Sequence, residues 1–451
     1  METNWTTFRE LLLPEHNRRR GVEAELRRAI REGRLAPGTR LPSSRDLAQQ
    51  LGIARGTVTS AYAQLIGEGY LTARRGSGTT VASLGPESAE RTPEPAERWR
   101  YNLRPGLPAL SAFPRAEWVA AHRAALAELP DDDLSYPDPA GYSGLRKELA
   151  DYLARVRGVV ARDVVITNGS ADALSLLARM LKGSIAVEEP SHFGAVSMLA
   201  SHGMRTVPIP VDDHGIRVDL LSTTDCSAVL VTSAHQFPLG VVLHPERRRA
   251  LVEWAQSRDA LIIEDDYDAE HRYDRPALGA LQSLAPEHVV YQGSTSKVLA
   301  PAMRLAWLVV PDRLRDTVVD RKRLDDLGSA TIPQAALAHL IRTGGYDRHL
   351  RRTRALYRKR RDALLNAFAD HLPSWRPIGV AAGLHVVMRL PDGTDDLALQ
   401  QELASRGVNA MALANFYAGE PSYPGLVLGY AALSPDRLRD AVREIHCAAG
   451  V

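Results

Sequence analysis

Five lysines occur in this chain, Lys147, Lys182, Lys297, Lys322 and Lys359, among 56 lysines and arginines in all. Arginine is the default cation, so a retained lysine points to chemistry that a guanidinium cannot do. An amine can shed its proton and attack a carbonyl to form a Schiff base. Lys297 lies in "GSTSKVLAPAMRLAW", after a strand-like run, flanked by the hydroxyls of Ser294 and Ser296 and followed by Arg304. Two hydroxyls, an amine and a guanidinium can surround one aldehyde-bearing phosphate ester. The plainer reading of the segment alone is a surface lysine beside a turn. "VVITNGSADALSLLARML" reads as strand, turn and helix. There Gly169, Ser170 and Ala171 put free amides at a helix N-terminus, a ready anion site. "ALIIEDDYDAEHRY" is an apolar strand running into acids, and strand ends are where α/β sheets present ligand residues. Acidic strand ends also hold metals. His271 is isolated in the sequence, however, so no histidine constellation supports a metal and none is expected.

These residues need a scaffold. "DVVIT", "SIAVEEP", "SAVLVTS", "ALIIEDD", "HVVYQGS" and "LAWLVVP" alternate with amphipathic helices from residue 101 onward. That alternation predicts an α/β domain over 101–451 with a largely parallel or mixed sheet. The last stretch, about 334–451, has longer helices and fewer strands and reads as a small α+β subdomain. Residues 82–100 are rich in Pro, Glu and Ser without periodicity and read as a linker.

Residues 1–81 differ in character. From Met1 to Gly85 there are 13 arginines, no lysine and 8 acids, while the whole chain is only +2. A basic module on a mildly acidic body suits a nucleic-acid partner, although a solvated charged surface reads the same way on charge alone. Val22–Arg34 places Val22, Leu26, Ala29 and Ile30 on one helical face. Ser43 is a fair N-cap for a second helix with Leu47, Ala48 and Leu51 on one face, and Gly52 ends it. A third helix over Arg55–Gly67 turns Val58, Ala61, Tyr62 and Leu65 inward. It therefore exposes Arg55, Thr57, Thr59 and Ser60, which could reach base edges and phosphates in a major groove. Arg45 is placed for a phosphate contact. "YLTARRGSGTTV" alternates and turns like a wing, with Arg74, Arg75 and Gly76 at its tip.

The bulk composition, 45% hydrophobic and 24% charged, is that of a soluble globular protein with a large core. The N-terminus has no signal-peptide character and no apolar run could span a membrane. Cys226 and Cys447 lie far apart without metal-ligand spacing, which fits a reducing cytoplasm.

"LAPGTRLPSSRDLAQQLGIARGTVTSAYAQLIGEGYLTARRGSGTTV" resembles the winged helix-turn-helix of the GntR regulators. The Lys297 segment resembles the Schiff-base segment of fold-type-I aminotransferases, proteins of pyridoxal 5'-phosphate. That resemblance implies Lys297 as the imine lysine and Ser294, Ser296 and Arg304 as phosphate ligands. It also implies Asp265 paired with the pyridine nitrogen and Tyr267 with the phenolic oxygen, leaving Asp266 and Asp268 as turn or surface residues. "LSYPDPAGYSGLRKELADYL" resembles the segment whose tyrosine, here Tyr136, reaches the phosphate in the partner subunit, with Lys147 facing solvent. With "NLRPGLPALSAFP", "SAHQFPLG" and "YDRHLRRTRALYRKRRDAL", the chain resembles the MocR subfamily of GntR regulators. The resemblance implies a cytoplasmic regulator that binds double-stranded operator DNA, holds pyridoxal phosphate and forms a head-to-tail homodimer.

Two departures bear on function. Relatives carry an arginine near the C-terminus that clamps a substrate carboxylate; Val427 stands in that position, and Tyr417–Pro435 contains no arginine. His192 stands where relatives carry the aromatic that stacks on the cofactor ring, with Phe193 a substitute if the loop shifts, and a loop histidine as the plain alternative. Loss of the clamp favours a regulator over a working aminotransferase with an accessory DNA-binding module. Among regulators it leans toward sensing pyridoxal phosphate, and so vitamin B6 supply, rather than an amino acid.

Overall fold

The computed structural model describes residues 21–74, 78–83, 99–273 and 278–450. Arg75 and Gly76 of the expected wing tip, and most of the expected linker, lie outside them. The chain divides into two compact units, Met1–Ala96 and Glu97–Val451.

In the first unit, helices Val22–Arg31, Ser44–Leu51 and Arg55–Gly67 precede a hairpin of β1 (Leu71–Arg74) and β2 (Gly78–Val81). The first helix ends at Arg31, short of the expected Arg34. Ser43 caps the second helix by accepting from the Asp46 amide at 3.2 Å. Gly52 closes that helix in the left-handed region (φ 66°), which a side chain would disfavour. Leu26, Ile30, Leu47, Val58, Tyr62 and Leu65 meet in one core with Leu71 and Val81 of the hairpin. The inward helical faces thus pack as their periodicity predicts.

The second unit opens with β3 (Tyr101–Asn102). Its main sheet contains β4 (Val165–Thr167), β5 (Ser184–Glu189), β6 (Arg205–Asp212) and β7 (Gly215–Ile216). It continues with β8 (Ala228–Val231), β9 (Leu261–Asp266), β10 (Val289–Ser294) and β11 (Ala306–Val309). The order is β4-β11-β10-β9-β8-β5-β6-β7. The centre is parallel, and β11 runs antiparallel to both neighbours. The apolar runs expected as strands form β4, β5, β8, β9, β10 and β11. The sequence reading missed β6, whose Pro208 and Pro210 argue against a strand. They are tolerated because β7 pairs only with Val211 and Asp212, leaving the outer side of β6 at the prolines without a partner strand among the described residues.

A second sheet, β12 (Arg376–Ile378), β13 (His385–Arg389), β16 (Gly425–Gly429) and β15 (Met411–Ala412), forms the small subdomain. The short β14 (Val408–Asn409) pairs in parallel with β3, so the first residues of the unit pack with its last ones. Helix Thr331–Arg342 packs into the large-subdomain core through Ala335, Ala336 and Leu337. The long helix Gly345–His371 gives Tyr346 and Leu350 to that core and Tyr357 and Leu364 to the small one. By packing, the small subdomain therefore begins inside this helix, later than residue 334. Among the described residues no helix is long and apolar enough to cross a membrane.

One buried ion pair ties the sheet to its covering helix. Arg157, at the end of helix Ser143–Arg157, bonds Asp266 at 2.7 Å, with both side chains almost fully buried. The Tyr291 hydroxyl donates to the same carboxylate oxygen at 2.7 Å. Removing one partner strands the other charge in the core. Arg157→Ala should therefore destabilise the second unit by about 3–5 kcal/mol, read by denaturant unfolding followed through its tryptophans. An unchanged midpoint would contradict the structural weight given to this pair.

Candidate functional site

Because β9 and β10 are parallel neighbours, their C-terminal ends deliver side chains to one place. Asp265 faces Gln292 across the ladder. The Gln292 amide donates to Asp265 at 3.1 Å. Ser294 ends β10, and Lys297 follows in the turn. Together these residues line a cavity of about 420 Å³, a size suited to a small cofactor.

One end of the cavity is built for an anion. Gly169 precedes helix Ser170–Met180 with φ 98°, and a Cβ there would fall 2.7 Å from the Arg304 guanidinium. Only a glycine lets that guanidinium approach the helix N-terminus so closely. Arg304 itself takes a left-handed conformation (φ 51°), an uncommon one for a residue other than glycine. It has no ion-pair partner among the described residues. A cation set against a helix N-terminus is electrostatically unfavourable until an anion arrives. Ser170, Ala171, Ser294 and Ser296 line the same cavity.

The other end offers a carboxylate. Burial raises Asp265 to about 6, the bond from Gln292 lowers it and the charge of Asp266 raises it again. A cationic ring nitrogen is the partner such a carboxylate lacks. Burial lowers the Lys297 amine, opposed by Asp268 and Asp265 and helped by Arg104. Its Nζ donates to the Gly106 carbonyl at 2.8 Å. The Tyr267 hydroxyl donates to the His235 carbonyl at 3.0 Å. Anion end, amine and carboxylate thus fit a phosphate-bearing aldehyde with a basic ring nitrogen.

The expected residues Gly169, Ser170, Ala171, His192, Asp265, Tyr267, Ser294, Ser296, Lys297 and Arg304 are brought together here. Tyr136 is not: it is 86% exposed and stands outside the cavity lining of its own chain. His192 caps helix Phe193–Ser201, accepting from the Ala195 amide, and stacks on Phe193 with ring centres 5.6 Å apart. Both rings line the cavity. Desolvation, then Lys297 and Arg104, lower the His192 pKa.

Two expectations are corrected. Asp266 and Asp268 are not surface residues; both are buried, Asp266 within β9 against Arg157 and Asp268, in the turn that follows, against His235. Nor is the site without histidines nearby. His235, Asp268 and His385, all buried, hold ligand atoms within 4.8 Å of one another. The three lie on segments far apart in sequence, so spacing could not reveal them. Sequence reasoning also missed Gln292, Gly106 and Arg104, and the small-subdomain walls Met411 and Phe416. Val427 is fully buried and pairs with Val387 and Met411, packing with Phe237, Leu413 and Phe416.

In the first unit Arg45, Arg55, Thr57, Thr59, Ser60 and Arg74 are all exposed. Charge is partitioned across this unit. Arg27 pairs with Glu23 and Glu68, and Arg28 with Glu25. Arg45, Arg55 and Arg74 have no ion-pair partner among the described residues. Thr59 donates its hydroxyl to the Arg55 carbonyl at 3.0 Å, so it retains only acceptor capacity.

Comparison with known proteins agrees with this division. Residues 18–81 match the family described as "Bacterial regulatory proteins, gntR family", and residues 109–445 match "Aminotransferase class I and II". The chain is 36% identical to the HTH-type pyridoxine biosynthesis transcriptional regulator PdxR of Corynebacterium glutamicum, over 93% of each chain. It is 32% identical to the probable rhizopine catabolism regulatory protein MocR of Rhizobium meliloti, over 98% of this chain and 94% of that one. Among solved structures, the kynurenine aminotransferase of Pyrococcus horikoshii superposes with a TM-score of 0.73 at 25% identity, over 79% of this chain and 91% of that one. The chain belongs to the MocR subfamily of GntR regulators, which join a winged helix-turn-helix to a fold-type-I aminotransferase-like domain.

Proposed function

We propose that this regulator senses pyridoxal 5'-phosphate itself, held on Lys297, and adjusts operator binding to vitamin B6 supply. Lys297 would capture the aldehyde, while Ser294, Ser296, Arg304 and the amides after Gly169 hold the phosphate. Asp265 would keep the ring nitrogen protonated, and Tyr267 would serve the phenolic oxygen. When bound, the group supplies a conjugated, protonated ring that can act as an electron sink.

The observation that carries the effector assignment is Val427. A carboxylate clamp is expected at this point of β16, and an apolar side chain buried among Phe237, Leu413 and Phe416 stands there instead. A valine buried there, behind the cavity residues Phe237, Met411 and Phe416, offers an amino-acid carboxylate no partner. The relative named for pyridoxine biosynthesis supports the same reading. A second reading, an amino-acid-responsive regulator or an active aminotransferase, has one observation in its favour. Arg104 lines the cavity and has no ion-pair partner among the described residues, so a carboxylate could be met from a different element.

The exposed Tyr136, with exposed Leu134 and Leu327 nearby in the fold, supports a second copy of the chain as partner, Tyr136 reaching the neighbouring phosphate site. Cytoplasmic operator DNA is the other partner. Arg55, Thr57 and Ser60 would face base edges, while Arg45 and the wing residues Arg74, Arg75 and Gly76 would follow the backbone.

Two measurements test this. Pyridoxal phosphate titrated against a fixed operator fragment should change the protein's affinity for it, and a panel of amino acids should add little. Equal affinity with and without the cofactor, together with a strong response to one amino acid, would favour the second reading. Arg55→Ala should cost about 1–3 kcal/mol of specific binding if it reads a base, whereas Arg74→Ala should weaken all sequences alike and reduce the salt slope. Unchanged operator binding in both variants would overturn the DNA-facing assignment of that surface.

A further inference from the structure

Behind Tyr267 the cavity wall is backed by a buried polar group. His235 Nδ1 lies 3.0 and 3.2 Å from the two Asp268 oxygens, and 3.1 Å from the Tyr267 hydroxyl. Asp268 is 1% exposed and His235 3%. His385 closes the group from β13. Its Nε2 donates to the Pro238 carbonyl at 3.0 Å, leaving Nδ1 without a partner among the described residues, and burial holds the ring neutral, with a pKa of about 3. Gly383 packs its backbone over the pair: a Cβ there would fall 2.4 Å from both Asp268 Oδ2 and His235 Cε1. A carboxylate this deeply buried requires a compensating partner.

A divalent ion is one candidate, since the donors lie within 4.8 Å of one another. The contacts favour a different arrangement. His235 Nδ1 is already engaged between Asp268 and Tyr267 at hydrogen-bond lengths. A metal bound there would displace that bond and take up the face next to the hydroxyl that the cofactor reading requires.

We propose that the His235–Asp268 pair is a positioning device, which fixes the Tyr267 hydroxyl at the cavity wall and sets a carboxylate behind the cavity that Tyr267 and Lys297 both line. The inference rests on the cofactor reading of Lys297. In capture, the amine nitrogen bonds the aldehyde carbon and the carbonyl oxygen leaves as water. The imine nitrogen then either carries a proton or does not. Asp265 from the end of β9, Arg104 from the segment after β3 and His192 at the start of its helix line the cavity with Lys297, and Asp268 lies behind its wall against His235. Of these charges Asp268 pulls hardest toward the protonated state and Arg104 pulls the other way. The device therefore favours the protonated imine, the form that absorbs in the visible.

The test uses the full-length protein loaded with pyridoxal phosphate and a visible-absorbance titration across pH. Removing a negative charge beside a cation makes its proton easier to lose, so Asp268→Asn should move the midpoint of the visible band down by roughly one unit, a tenfold change. His235→Gln, which keeps the charge but loosens it, should move the midpoint less and slow capture. Asp268→Glu should restore most of the wild-type midpoint, which a merely structural role would not predict. Each variant should still give a borohydride-reducible adduct, which also verifies its fold. An unmoved midpoint in Asp268→Asn, with wild-type loading, would overturn this proposal alone. No visible band in the wild-type protein would remove the cofactor reading and this proposal with it. Stoichiometric bound metal by elemental analysis, lost in His385→Ala, would overturn it as well.

Discussion

The end of β9 crowds Glu264, Asp265, Asp266, Asp268 and Glu270 into seven residues that fold into or against the core. Carboxylates out of water must each be compensated or neutralised, and much of the second unit is arranged to do this. Asp266 takes Arg157 and Tyr291. Glu264 accepts from the Ser233 hydroxyl at 2.6 Å and from the Leu281 amide at 2.8 Å. Asp268 takes His235. Burial, reinforced by Asp266, lifts the Glu270 carboxyl to about 7. Asp265 is left with a neutral amide, Gln292, and an opening into the cavity. Of the five acids it is the one that lines the cavity.

The same logic runs across the cavity with the sign reversed. Arg304 is held against a helix N-terminus and Arg104 lines the wall, both without an ion-pair partner among the described residues. An unmatched carboxylate at one end, unmatched guanidinium at the other and an amine lowered by burial between them define the ligand by its charges. The walls between are apolar and come from both subdomains: Leu174 and Phe237 from the large one, Met411 and Phe416 from the small one. A ligand that binds both therefore bears on their relative position, which is the physical basis for sensing.

Local chemistry was legible in the sequence. The Lys297 segment, the Gly169 turn and the acids after "ALIIEDD" each declare themselves within a few residues, because a turn, a helix N-terminus or a strand end is set by neighbours. So do Ser43 and Gly52, the ends of the second helix. What depends on distant pairing was hidden. Asp266 and Asp268 look like surface acids until Arg157 and His235 arrive from elsewhere in the chain. His385 is an ordinary strand residue until β13 brings it against His235. The prolines of β6 conceal a strand that only its free side permits. On the first unit, composition gave a basic surface, but not that Glu23, Glu25 and Glu68 pair with arginines of the first helix while Arg45, Arg55 and Arg74 have no ion-pair partner among the described residues.

The central claim is that this arrangement exists to hold an aldehyde on one particular amine. Lys322 is buried in a bond to Asp326, and Lys147 is exposed on a helix, so neither competes structurally. The direct measurement is borohydride reduction of the full-length protein with pyridoxal phosphate, followed by peptide mass mapping. The account predicts the reduced adduct on the peptide carrying Lys297, with none on the other four lysines, and a folded Lys297→Ala protein that retains no adduct. A reducible adduct on another lysine, or one that survives in Lys297→Ala, would contradict it.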